Sequence, residues 1–163
     1  MSAKTTKYEY KEWFSAQEMH EDSKRWFSEL SFIKDEQCFL NTLLKSFATK
    51  PLDSTEFGRI NDFKNAISEN RHRLNTIFKQ VQKHMNQVEI LVDGVNQLEM
   101  EKAFLKTHKK LYLRMNNYIL DYRTVKERGF VKLASILKTA KQKKALANPD
   151  YKIITVSEEK INS

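Results

Sequence analysis

Six apolar residues, Ile60, Ile67, Leu74, Val81, Val88 and Val95, recur every seven positions through a stretch that holds no proline. A seven-residue interval keeps one stripe of a helix turned toward a neighbour, so a chain with such a ladder folds by packing helix on helix. The partner helices must carry matching stripes. Met19, Trp26, Ile33, Leu40 and Phe47 form one, with Ser23, Leu30, Gln37 and Leu44 in the complementary seam row. Phe104, Leu111, Tyr118 and Val125, with His108, Met115 and Tyr122, form another. Only three glycines and two prolines occur in 163 residues, too few turn formers for a many-stranded sheet.

Start and stop signals divide the stripes into three helices, over about 15–48, 54–93 and 101–143. Ser15-Ala16-Gln17-Glu18 is a capping box, and Phe14 and Met19 flank it as a hydrophobic staple. Pro51 ends the first helix, and Asp53 or Ser54 caps the second. The second helix carries Phe63, Asn70, Ile77, His84, Leu91 and Leu98 as its other seam row, with Phe78, Met85 and Val92 flanking it. Asp93-Gly94 precedes a one-residue change of phase. An unbroken helix through it would run roughly 110 Å and leave much of its seam unpaired. A reversal at 94–100 is therefore expected. Gly129 reads as a kink in the third helix, where the apolar set changes to Phe130, Leu133, Leu137 and Ala140. The predicted fold is an all-α, up-down-up antiparallel three-helix bundle over 15–148. An aromatic and charged leader (1–14) precedes it, and an extended or disordered tail (149–163) follows.

Phe27, Phe32, Phe39 and Leu43 widen the apolar face of the first helix, as suits a helix with two neighbours, and Phe27, Phe39 and Leu43 are the side chains to inspect for self-association. Cys38, the single cysteine, excludes an internal disulfide and reads as a small, partly buried hydrophobe. The N-terminal residues lack the apolar run of a signal peptide, and no segment is long and apolar enough to span a membrane, so a cytoplasmic location is expected.

Chemistry is sparse. The chain has no glycine-rich phosphate loop, no GxSxG, no HExxH and no cysteine pair, which favours a non-enzymatic protein acting through interaction or scaffolding. The Glu69-x-x-His72 spacing seen in di-iron bundles occurs once, with Asn70 on the seam in its place. A reversal near residue 96 sets His84 opposite His108, and a reversal near residue 51 brings His20 to the same layer. Three imidazoles there could ligate a transition metal such as zinc, with Glu21 or Asp22 behind them. The competing expectation is an unmetallated buried histidine pair that loosens the bundle on protonation.

The net charge of +8 belongs to the C-terminal third, where residues 101–152 hold 14 lysines and arginines against 4 acids. Lys138, Lys141, Lys143 and Lys144 are candidates for contact with nucleic acid or another anion, alongside a solvated-face reading. Protein interaction or self-association ranks first among the expected functions. A histidine-ligated metal bundle and a basic nucleic-acid-associated protein follow.

Overall fold

The computed structural model describes residues 13–94 and 98–147. Most of the leader and all of the tail lie outside the described residues. Three helices account for all the regular structure among those described: α1 (Ala16–Ala48), α2 (Ser54–Asp93) and α3 (Leu98–Ala147), arranged up-down-up.

The helix ends follow the local sequence. At the start of α1, the Ser15 N–H donates to Glu18 Oε2 (2.8 Å) and the Glu18 N–H donates to Ser15 Oγ (3.1 Å), completing the capping box. Phe14 and Met19 are buried in one cluster with Val88, which is the staple. Ser15→Ala is expected to cost about 1 kcal/mol, read as a lower urea midpoint. An unchanged midpoint would show that the cap is dispensable. At α2 the Glu56 N–H donates to Asp53 Oδ1 (2.8 Å), and Asp53 is the cap.

Two compact units share these helices, one comprising Met1–Phe39 with Glu69–Leu120, the other Leu40–Ser68 with Asp121–Ser163. In the first, Met19, Leu30, Leu74, Val81, Val88, Leu111, Met115 and Tyr118 are buried. Phe27 packs against Phe78 with ring centroids 4.8 Å apart, and Gln37 meets Asn70, which fixes α1 antiparallel to α2. His84 meets His108 and Asn70 meets Tyr118, which fixes α2 antiparallel to α3.

A polar layer crosses this first core. Gln37 Nε2 donates to Asn70 Oδ1 (2.8 Å), and the Tyr118 hydroxyl donates to the same oxygen (2.5 Å). All three side chains are buried, and burial pushes the Tyr118 phenol well above its ordinary value. A bond between such groups fixes register, because a slipped helix would bury the same groups without partners. Tyr118→Phe is expected to lower stability by about 1–2 kcal/mol in a urea titration. A loss below about 0.3 kcal/mol would mean that this layer contributes nothing measurable.

In the second unit, Leu40, Leu44, Phe47, Ile60, Phe63, Ile67, Leu133 and Ile136 are buried. Here the structure adds to the reading of Gly129. The α-helix α3 runs through it without a break, and the buried row is Gly129, Leu133 and Ile136, while Phe130 and Leu137 are about half exposed. A Cβ built on Gly129 would lie 2.2 Å from the Phe63 ring. The missing side chain is thus the space that Phe63 fills; the row of His108, Met115 and Tyr122 continues through Gly129 to Ile136, while the row of Leu111, Tyr118 and Val125 resumes one residue late at Leu133, a member of the expected new set.

Other expectations also change. Phe32 and Phe39 are 66% and 64% exposed, because they lie on the side of α1 away from its buried row. Leu98 begins α3 and is exposed rather than closing the seam of α2. Val92 is exposed too, so the flanking row of α2 is not buried to its end. Cys38 is exposed, with the Arg71 guanidinium 3.9 Å from its sulfur.

Candidate functional site: a buried imidazole pair and a lysine-rimmed cleft

The first unit buries two histidines completely enough to force them together. His84 is 1% exposed and His108 is fully buried. They occupy seam positions on α2 and α3, so antiparallel packing brings them face to face, with His84 Nε2 3.0 Å from His108 Nδ1. The other ring nitrogen of His108 lies 3.0 Å from Asp22 Oδ2 on α1. The Trp26 ring stacks on His108 (centroids 4.7 Å apart) and the Phe14 ring meets it edge-on at 4.8 Å, leaving the imidazole no contact with water.

The carboxylate sets the direction of the chain of bonds. Asp22 can only accept while ionised, so His108 Nε2–H donates to it. Neutral His108 then has a bare Nδ1, which accepts from His84 Nε2–H. That leaves His84 Nδ1 as a bare acceptor, and it is buried with no hydrogen-bond partner among the described residues. Burial, with a smaller electrostatic contribution from the neighbouring His108 ring, pulls the His84 pKa down from 6.5 to about 4. Burial pushes the Asp22 carboxyl up, but the His108 hydrogen bond and the Arg25 charge outweigh it and hold that carboxyl below its ordinary range. Arg25 donates to Asp22 Oδ1 at 2.8 Å.

Of the three histidines expected in one layer, the fold joins two. His20 is half-buried, and no hydrogen bond of the described residues links it to the pair. Asp22 takes the third place because it, two residues along α1, is the group that reaches His108. Both nitrogens of His108 are engaged in hydrogen bonds, and among the described residues no group of three or more His, Cys, Asp or Glu side chains is placed to hold a metal ion. Of the expected layer of His20, His84 and His108, the structure thus joins His84 and His108 to Asp22 in one hydrogen-bonded chain. Glu69 and His72, the other candidate metal spacing, are both exposed, while Asn70 between them is buried in the polar layer.

The second unit gathers the lysines. A cleft of about 610 Å³ lies between the α1–α2 turn and the last turns of α3. Lys141, Lys143 and Lys144 line it together with Lys50, whereas Lys138 does not. Its walls are apolar, from Leu52, Ile136, Leu137 and Ala140. Glu56 is the one acidic side chain lining it among the described residues, and Lys143 Nζ lies 3.8 Å from its Oε1. The sequence showed the lysine cluster. It did not show Lys50 or the apolar walls, which come together only when the turn after α1 meets the end of α3.

No helix among the described residues is long and apolar enough to cross a membrane. No known protein family, no curated protein and no solved structure matches this chain.

Proposed function

We propose that this protein is a non-catalytic interaction module whose second unit holds an acidic, apolar-sided segment of a partner protein. The observation that carries this reading is the cleft in which four lysines surround apolar walls, with the one acid lining it among the described residues already paired to Lys143. Such a surface attracts negative charge from a distance and rewards burial of apolar side chains on contact. An amphipathic helix with leucines on one face and glutamates at its edges offers both. Nucleic acid would meet the same cations but would leave the apolar walls against sugar and phosphate, so the protein reading fits more of the cleft.

Fluorescence anisotropy with a labelled acidic amphipathic peptide tests it. Binding is expected in the micromolar range at about 0.1 M salt, weakened roughly tenfold by Lys141→Gln combined with Lys144→Gln. Leu137→Asp should weaken it as strongly at high salt, where lysine contacts are screened. Tighter binding of a mixed-sequence oligonucleotide than of the peptide, lost steeply with salt and indifferent to Leu137→Asp, would replace this reading with the nucleic-acid one.

A further inference from the structure

A second cleft, of about 810 Å³, opens between α2 and α3 within the first unit, on the side where His84 forms part of the wall. Lys83 from α2 and Lys110 and Arg114 from α3 line it, and no acidic side chain does so among the described residues. The Arg114 guanidinium donates to Gln80 Oε1, which holds its charge at the cleft instead of leaving it to sweep through solvent. Phe104 supplies an apolar, aromatic wall.

The feature that separates this place from an ordinary basic surface is His84 Nδ1. It is a buried nitrogen without a hydrogen-bond partner, in a structure where the other polar side-chain atoms of the imidazole chain are all satisfied. Such an orphan is costly to keep and marks a place where a group is expected to arrive. The carboxylate of Asp22, acting through His108, makes that nitrogen an acceptor. A group that pairs with it must therefore bring a proton, and the three cations favour one that brings negative oxygens as well.

We infer that the α2–α3 cleft binds a small organic phosphate monoester, its anionic oxygens among Lys83, Lys110 and Arg114 and its organic part against Phe104, and that the wall formed by His84 parts on binding so that buried Nδ1 shares one proton with the phosphate. A monoester suits this pattern because its second ionisation lies near pH 6, so it can hold a proton and a negative charge together near neutrality. An ionised carboxylate offers charge without the proton. Arginine matches phosphate in a two-pronged geometry, and the lysines act as point charges. The site is independent of the lysine-rimmed cleft of the second unit, and either reading can fail alone.

The test uses the full chain and phenyl phosphate, followed by NMR. Saturable binding with Kd about 0.1–1 mM is expected for so small a ligand. The backbone shifts should centre on residues 80–87 and 103–114, and the His84 Nδ1 resonance should leave the position of a bare nitrogen. Arg114→Gln should weaken binding about tenfold, while Lys138→Gln, outside the cleft, should leave it unchanged. His84→Phe should keep the fold, judged by the shifts of the remaining residues, and weaken the phosphate several-fold. Benzoate binding as tightly as phenyl phosphate would overturn the assignment. So would equal weakening by Lys138→Gln, or an unmoved His84 Nδ1 resonance at saturation.

Discussion

Acidification from pH 8 to pH 5 is expected to remove about 2 kcal/mol of unfolding free energy through His84 alone, and about 3 kcal/mol by pH 4. The folded-state pKa of about 4 lies below the ordinary 6.5, so between those values the unfolded chain binds a proton that the folded chain refuses. The stability is whole above pH 6.5 and drains as the pH falls through the window to 4. Asp22 acts in the same sense lower down. Its carboxyl is held below its ordinary value, so its contribution is present above about pH 3.8 and is lost as the pH drops through the folded value. The physical cause at His84 is burial: an imidazolium 1% exposed would lose its hydration next to a second imidazole, with no carboxylate of its own. Urea titrations from pH 4 to 8 on the native chain and on His84→Leu check it. The variant should lose most of the slope between pH 4 and 6.5. Parallel curves would show that His84 is not the group that titrates.

Gly129→Leu is expected to cost about 3 kcal/mol, although replacing a helical glycine by leucine at an exposed site would gain close to 1 kcal/mol. The Phe63 ring, only 2% exposed, already occupies the position of the new side chain, with three ring atoms within 2.4 Å of an ideal Cβ. The ring must move, and the core around it resists. Phe63→Ala alone should cost about 3–5 kcal/mol by opening a cavity. Combined, the two changes should cost clearly less than their separate effects together, with a coupling of at least about 1 kcal/mol, because the leucine refills the space that the ring vacates. Additive costs would mean that Gly129 serves some purpose other than admitting Phe63.

The sequence reading of Gly129 as a kink missed the contact that defines it: Leu133 of the expected apolar set is buried, but Phe130 and Leu137 are not, and the glycine itself faces Phe63. Along a single helix, a glycine between apolar residues looks like a gap or a bend, since nothing in the neighbouring sequence says that a phenylalanine 66 positions earlier will fill it. Phe32 failed in the opposite direction. Its apolar character suggested burial against a second neighbour, yet the side of α1 on which it lies with Phe39 is left exposed. His84 and His108 were legible because both sit on seam rows and the reversal near residue 96 sets their levels. Asp22 was legible only as a neighbour: its position on α1 relative to α3 depends on how two helices remote in sequence pack, which periodicity does not encode.

Spacing and end signals along the chain determined the three helices, their alternating direction, and most of the residues they bury, because a helix closes its own hydrogen bonds and its stripe depends on intervals of three and four. The Asp22–His108–His84 chain, the Gln37–Asn70–Tyr118 layer, the seating of Phe63 on Gly129 and the two clefts were decided only by tertiary structure. Each needs side chains from at least two helices at one level, and that level is set by packing between helices to within a fraction of a turn.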